Sequence, residues 1–126
     1  MCLEISNYGP NIVIVSLGRK GAYLSIDNEV YYIPIAKPRV IIDETGAGDV
    51  YTAIFVAHYA ITKDVFEAIS LAASAVSFLV EDKGISGLVT KEKMFERVKE
   101  VLDNIKRVKW VTCKISTIVF HSMDIL

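Results

Sequence analysis

The sequence predicts an α/β fold, in which helices pack on a mixed, mostly parallel sheet. Two continuous apolar runs rich in β-branched residues, 12–15 and 39–42, are typical of strands buried on both faces. Two alanine-rich apolar runs, 50–61 and 65–81, are typical of helices that pack closely. A short glycine-containing turn joins the strand predicted at 39–42 to the first of these helices. These observations together predict a strand–turn–helix unit within the fold.

A β-hairpin is predicted directly after the first strand. Residues 22–26 and 29–33 have strand-like composition, and the pair Asp27-Asn28 between them predicts a tight turn. The stretch 16–21, Ser-Leu-Gly-Arg-Lys-Gly, links the strand at 12–15 to this hairpin. Two interpretations of that stretch remain open: a ligand-facing loop at the carboxyl end of a buried strand, or a simple hairpin turn.

Capping signals define the two later helices. Asp64 followed by Glu67 predicts a capping box for the helix over 65–81. Thr90 predicts the N-cap of a third helix, over about 91–105. Charged residues on the third helix predict a solvated outer face: Lys91, Glu92, Lys93, Glu96, Lys99 and Glu100.

The turn at residues 43–49, Asp-Glu-Thr-Gly-Ala-Gly-Asp, is the strongest candidate for a functional site. A strand, a glycine turn and a helix N-terminus leave backbone N–H groups without partners and create a site for an anion. Asp49 is a carboxylate inside that site, where a negative charge opposes anion binding. We therefore favour a chemical role for Asp49. The alternative is a first-turn acid that stabilises the helix dipole, with Gly46 and Gly48 serving only the turn.

Composition excludes several classes of protein. The 126 residues carry a net charge of -1 with no basic stripe, which argues against a nucleic-acid partner. No apolar run reaches the ~18 residues of a membrane span, and no signal peptide is indicated. Cys2 and Cys113 fit no metal or redox spacing, so we expect a reducing cytoplasm. The mean hydropathy of +0.40 suggests an apolar surface that something else covers.

Residues 43–49 resemble the D-T-x-G-A-G-D signature of ribokinase-like (PfkB) sugar and nucleoside kinases. Glu44 departs from the family, which often has Thr or another small polar residue there. The resemblance implies a partial ribokinase-like three-layer fold and an ATP-dependent phosphotransferase. It implies that Asp49 is the general base. It also implies an anion hole for the γ-phosphoryl group, formed by the amides of Gly46, Ala47 and Gly48.

The resemblance extends to the nucleotide site. Ser16, Gly18 and Gly21 match the family's T-L-G-x-x-G motif, with Ser in place of Thr, and this motif contacts the nucleotide. Ala73 corresponds to a position that lines the adenine pocket and often holds Asn, so a side-chain hydrogen bond to the base is missing here. Gly84 is the best-matched position of a second adenine-side loop.

Cofactors and substrates follow from the same resemblance. It implies ATP with Mg²⁺ carried by the nucleotide, and a sugar or nucleoside as acceptor. It also implies K⁺ or another monovalent cation near Asp43 and Thr45. We assign residues 1–107 to the C-terminal, nucleotide-binding part of the kinase domain. Residues 108–126 are a tail outside the match, in which 115–120 is either a strand or an apolar tail.

The family's N-terminal part, which supplies most of the acceptor site, is absent from this sequence. We therefore expect self-association, or a partner that covers the exposed apolar face. Two functions remain open: an active kinase, or a non-catalytic nucleotide-binding remnant of one. A dinucleotide-binding oxidoreductase is disfavoured, because Tyr51 occupies the place of the third glycine of the Rossmann fingerprint. The sequence also contains no P-loop motif.

Overall fold

The computed structural model describes residues 11–108 and 119–122. The chain forms two compact units, one made of residues 1–34 with 105–126 and the other of residues 35–104. The first unit is a β-sheet and the second is helical. Both cysteines and the 115–118 part of the predicted C-terminal strand lie outside the described residues.

The sheet unit contains five described strands, numbered β1 to β5 in chain order. Side by side in the sheet, they lie in the order β4-β3-β2-β1-β5. Every described pairing is antiparallel, so the prediction of a mostly parallel sheet is wrong for these strands. The physical reason is local: short turns join β1 to β2 and β2 to β3, and such turns reverse the chain. The strands are β1 (Ile12–Ser16), β2 (Ala22–Ile26), β3 (Glu29–Ile33), β4 (Lys106–Val108) and β5 (Val119–Ser122).

The predicted hairpin is confirmed. Asp27 and Asn28 form its turn with φ values of 52° and 60°, a left-handed conformation that these two residue types tolerate. The four residues of the 12–15 run are all buried, as the continuous apolar pattern predicts. Val13 and Val15 of that run form a small core with Val30 from β3. The sheet therefore buries β1 between β2 and β5.

The helical unit is built around one central helix. This helix is α2 (Val65–Leu79), and twelve of its fifteen residues are buried. Among them, Leu71 and Ala75 pack against Met94 and Val98. No helix in the described part of the chain is both long enough and apolar enough to cross a membrane. The helices are α1 (Ala47–Thr62), α2 (Val65–Leu79), α3 (Lys91–Met94) and α4 (Val98–Asp103), with 3₁₀ turns at Gly84–Gly87 and Phe95–Arg97. The predicted third helix is thus α3 and α4 joined by a tightened turn, and its six charged residues are exposed as predicted.

Both predicted N-caps form, but the capping box is incomplete. The Asp64 carboxylate accepts from the Glu67 amide at 3.0 Å, and the Thr90 hydroxyl accepts from the Lys93 amide at 3.4 Å. The Glu67 carboxylate lies 2.9 Å from the ring nitrogen Nε2 of buried His58 instead of returning to the cap. His58 is therefore a buried packing residue whose polar ring has a partner in Glu67.

The predicted strand at 39–42 is wrong. These residues pair with no strand among those described, and Val40 and Ile42 are 52% and 53% exposed. Their backbone donors meet acceptors at the end of α2 instead. The Arg39 amide donates to Glu81 Oε1 at 2.8 Å, and the Ile42 amide donates to the Val80 carbonyl at 2.7 Å. The described backbone hydrogen bonds of this segment therefore go to a helix end and not to a strand.

The packing face predicted for α1 is also wrong. The apolar run at 50–61 predicts a helix packed against a strand at 39–42, yet Ala53, Ala57 and Ala60 are exposed, and Ile61 is 78% exposed. The helix packs on α2 through its other face, where Phe55 is buried. Asp49 is the one charged residue of α1, so its exposed face is almost entirely apolar.

Arg97 fixes the end of α2. Its guanidinium lies 2.7 Å from Glu81 Oε1, donates to the Ser77 hydroxyl at 2.9 Å and covers the Phe78 ring at 3.8 Å. Burial acts to raise the pKa of the Glu81 carboxyl. The hydrogen bonds from Arg39 and Arg97 and their positive charges outweigh that effect, so the pKa is lowered below its usual 4.5.

We expect Glu81→Gln to destabilise the chain by about 1 kcal/mol near neutral pH, because a charge-assisted hydrogen bond is lost from a partly solvated site. A carboxyl with a lowered folded pKa stabilises above its unfolded pKa and loses that effect as the pH falls through the folded value. The difference between wild type and variant should therefore be smaller at an acidic pH, below the usual 4.5 of a glutamate, than at pH 7. Urea unfolding at both pH values measures it, with Glu96→Gln as an exposed control. A difference that does not depend on pH would contradict the role of the charge.

Candidate active site

A left-handed glycine begins the helix at the candidate site. Gly46 is the N-cap of α1 with φ 80°, a conformation that glycine adopts without strain. The Ala47 amide donates to the Glu44 carbonyl at 3.1 Å and closes the turn. The Val50 amide then donates to the Gly46 carbonyl at 3.0 Å, as the first regular bond of the helix. The turn predicted at 43–49 therefore leads directly into a helix N-terminus.

Three amides of this turn are open. Within the described residues, the N–H groups of Gly46, Gly48 and Asp49 have no acceptor. A Cβ built on Gly48 would meet nothing within 4 Å, so the backbone there is accessible to a bound group. Ala47 was predicted as part of the anion hole, but its amide already bonds Glu44. The Asp49 amide, which the sequence analysis did not single out, is open in its place.

The Asp49 carboxylate is exposed in the first turn of α1. In the part of the chain that the structure describes, it has no hydrogen-bond or ion-pair partner, and the helix has no side-chain cap. A capping acid would accept a hydrogen bond from a first-turn amide. Asp49 therefore acts on the helix through its charge alone, and its oxygens remain accessible for a hydroxyl group.

Asp43 joins two regions that were predicted separately. Its Oδ1 accepts from the Thr45 amide at 2.9 Å, and its Oδ2 accepts from the Gly84 amide at 3.1 Å. The hydroxyl and amide of Thr45, then the Gly84 amide, lower the pKa of the Asp43 carboxyl, and the charge of Lys83 adds to this effect. The structure thus brings Asp43, Thr45 and Gly84 together.

Ala73 and Gly84 differ in their environments. Ala73 is 5% exposed in the middle of α2, inside the helical unit. Gly84 begins the 3₁₀ turn after α2 and has φ 54°, in the left-handed region. Of the two predicted adenine-side positions, only Gly84 contacts the 43–49 turn through a described hydrogen bond.

The other predicted nucleotide loop belongs to the sheet unit. The Leu17 amide donates to the Gly21 carbonyl at 2.8 Å, so residues 17–21 close the hairpin between β1 and β2. Gly18 and Gly21 have φ values of 60° and 91°. A Cβ at Gly21 would collide with the Ile33 carbonyl oxygen. These glycines are required by the hairpin, and Ser16 ends β1 just before them.

No group of three or more His, Cys, Asp or Glu among the described residues could hold a metal ion. Asp43 is a single carboxylate whose two oxygens already accept amide hydrogen bonds. A divalent ion at this site would therefore depend on oxygen atoms of a bound nucleotide.

Two structural residues near the site escaped the sequence analysis. Glu81 and Arg97 anchor the segment that precedes the turn, although Glu81 is 42 positions from its partner Arg39. No local pattern signals a contact between residues so far apart. Gly87 carried a weak signal, as a glycine in a loop. A Cβ there would collide with the backbone of Leu79, so only glycine fits.

Open amides on a glycine turn, with an exposed carboxylate at the start of a helix, form a candidate anion site in a chain of mixed helix and strand structure. The sequence of residues 1–106 matches the family described as pfkB family carbohydrate kinase. The chain therefore belongs to the pfkB family of carbohydrate kinases, which confirms the resemblance carried by residues 43–49.

Individual relatives agree with this assignment. The nucleoside kinase of Methanocaldococcus jannaschii is 35% identical over 100 residues, which cover 77% of this chain and 33% of that protein. Its crystal structure superposes with a TM-score of 0.66. A structure of Arabidopsis thaliana ribokinase with ribose and ATP superposes with a TM-score of 0.68 and a sequence identity of 32%. The match covers 76% of this chain and 31% of the ribokinase chain. The chain spans about a third of the length of these relatives.

The two glycines of the turn should respond oppositely to alanine. Gly46→Ala should destabilise the chain by about 1–2 kcal/mol, because alanine must adopt a left-handed conformation. Gly48→Ala should leave the stability unchanged or raise it by up to about 1 kcal/mol, because a helical Cβ there meets open space. Urea unfolding of both variants gives the comparison. Equal destabilisation by the two changes would show that the turn has a different geometry.

Proposed function

We propose that this chain forms the nucleotide-binding part of a kinase that transfers the γ-phosphoryl group of ATP to a hydroxyl group of a sugar or nucleoside. One observation carries the proposal: the open amides of Gly46, Gly48 and Asp49 lie at the start of α1 beside an unpartnered Asp49 carboxylate. The kinase names of its relatives support the same reaction class.

Each group has a defined task in this proposal. The open amides and the positive end of the α1 dipole stabilise charge on the transferred phosphoryl group. The Asp49 carboxylate accepts the proton of the acceptor hydroxyl, and its exposure leaves room for that substrate. Mg²⁺ carried by the nucleotide supplies further neutralisation of phosphate charge. Little covalent chemistry is required of the protein, because phosphoryl transfer depends mainly on position and charge.

The remaining nucleotide contacts are part of the proposal. In the sheet unit, Ser16, Gly18 and Gly21 are proposed nucleotide contacts. In the helical unit, Ala73 and Gly84 are proposed contacts of the adenine. The bond between Gly84 and Asp43 supports a link between the adenine side and the phosphate turn. The ribose and ATP in the Arabidopsis relative support the choice of ligands. K⁺ near Asp43 and Thr45 has weaker support, because both Asp43 oxygens are already engaged.

A non-catalytic nucleotide-binding protein is the second candidate. It is favoured by the fact that the chain spans about a third of the length of its relatives. In that case the same turn binds nucleotide in the cytoplasm without transferring a phosphoryl group. The two candidates differ only in turnover, so a measurement of phosphoryl transfer separates them.

We also propose that the exposed face of α1 is covered in the functional assembly, by a second copy or by a partner that completes a three-layer ribokinase-like fold. Ala53, Ala57, Ala60 and Ile61 form a face without charge. The outer surface of α3 and α4, by contrast, carries six charged residues. A solvated helix ordinarily has the second kind of surface.

Asp49→Asn should reduce phosphoryl transfer from ATP by about 10²–10⁴-fold, because the general base is lost. Nucleotide affinity should be unchanged or slightly higher, since one negative charge leaves the anion site. The measurement is ADP formation with an acceptor panel, beside calorimetric titration with Mg-ATP. Asp103→Asn, which changes an exposed acid on α4, is the control.

Unchanged transfer in the Asp49 variant would contradict the role of this carboxylate. Binding without transfer in wild type, with every acceptor, would favour the non-catalytic candidate. Loss of folding in the variant would favour a purely structural acid in the first turn.

Ala57→Lys should lower the mass of the assembly in solution, because a charge then lies in the centre of the uncovered α1 face. Glu96→Lys, on the charged surface, should leave the mass unchanged. Light scattering of the purified chain measures both. A wild-type protein that is strictly monomeric in dilute solution would exclude the second copy and leave only a separate partner.

A further inference from the structure

One carboxylate connects two parts of the candidate nucleotide site. Asp43 Oδ1 bonds the Thr45 amide inside the phosphate turn, and Asp43 Oδ2 bonds the Gly84 amide 41 positions away. Each oxygen therefore serves a different region of the chain. The two bonds have lengths of 2.9 and 3.1 Å, within the normal range for amide donors.

The backbone of Asp43 is held as well. The amides of Ile42 and Asp43 both donate to the Val80 carbonyl, at 2.7 and 3.3 Å, at the end of α2. Gly84 follows that helix end by four residues. The backbone of Asp43 is thus held in place by Val80, and its carboxylate bridges the turn at 43–49 (the phosphate turn) and the loop at Gly84.

We propose that Asp43 is a positioning residue that holds the phosphate turn and the Gly84 loop in one geometry, so that a ligand bound at the turn is felt at Gly84. The inference rests on the proposed function for the identity of that ligand. The tie itself does not depend on it, because both bonds join groups of this chain. The carboxylate acts through its two amide contacts and does not need a bound cation.

The residue at position 43 must offer two acceptor oxygens, one for the Thr45 amide and one for the Gly84 amide. Asparagine has nearly the same size, but it offers one carbonyl oxygen and one NH₂ donor. Whichever way its amide is oriented, the donor faces one of the two backbone N–H groups. Asp43→Asn should therefore break one of the two bonds, and Asp43→Ala should break both.

Asp82 provides a matched control. It is a carboxylate in the same loop region, and among the described residues its Oδ1 accepts from the neighbouring Lys83 amide alone, at 2.7 Å. Asp82→Asn removes the same charge from the same part of the protein. It leaves the bonds of Thr45 and Gly84 in place.

The experiment is amide exchange with water, followed by NMR on the full chain without nucleotide. Asp43→Ala should raise the exchange rates of the Thr45 and Gly84 amides by about tenfold, because each loses a bond to a charged acceptor. Asp43→Asn should raise one of them, and Asp82→Asn neither. Unchanged exchange at Gly84 in Asp43→Ala would overturn the tie. Protection that requires KCl and disappears in choline chloride would overturn it too, in favour of a cation ligand.

Inorganic tripolyphosphate tests whether a ligand bound at the 43–49 turn affects Gly84 through Asp43; we call this effect the transmission. In wild type and in Asp82→Asn it should slow exchange at Gly84, and in Asp43→Ala this response should be lost even where tripolyphosphate still binds. Binding to wild type with no change at Gly84 would overturn the transmission. If tripolyphosphate does not bind wild type at all, the proposed function fails together with the transmission, while the unliganded exchange rates still decide the tie.

Discussion

The structure of the candidate site depends on how the irregular segment 37–43 satisfies its backbone donors. The amides of Lys37 and Arg39 donate to the carboxylates of Glu100 and Glu81, and the Ile42 amide donates to the Val80 carbonyl. Acceptors on the helices thus serve these exposed amides in place of a neighbouring strand. The segment is thereby held against α2 and α4, and the turn at 43–49 continues directly from it.

This arrangement explains why the turn can keep its amides open. Gly46 reverses the chain in a left-handed conformation, and Ala47 closes the turn onto Glu44. The turn is then held by Asp43 and by the helix that follows, so it does not need the amides of Gly48 and Asp49 for its own stability. The first turn of a helix leaves such groups without partners, and an anion is a natural acceptor for them. The helix N-terminus that shapes the turn therefore also leaves the amides that could bind an anion.

Local patterns predicted the elements whose cause is local. The buried strand β1, the Asp27-Asn28 turn, the caps at Asp64 and Thr90 and the charged surface of the third helix all follow from residues close in sequence. The signature at 43–49 also predicted the family, because seven adjacent residues specify the turn. The roles of Asp49, Ser16 and the other site residues stay predictions.

The failures concern contacts between distant residues. An apolar run such as 39–42 shows that a segment can be a strand, but the pairing partner decides whether it becomes one. The exposed alanines of α1 present the same problem, since periodicity does not say which face is covered. The antiparallel sheet was missed for a related reason: strand direction depends on the connections, and these are short here. Arg97, Glu81 and the second bond of Asp43 join positions 16 to 42 residues apart.

The central claim is that the turn at 43–49 binds phosphate through its open amides. The most direct measurement is an NMR titration of the backbone amides with Mg-ATP. The account predicts saturable shifts at Gly46, Gly48 and Asp49, with loss of the response in Gly48→Ala although that variant remains folded. A folded wild type in which these three amides do not respond to ATP would contradict it.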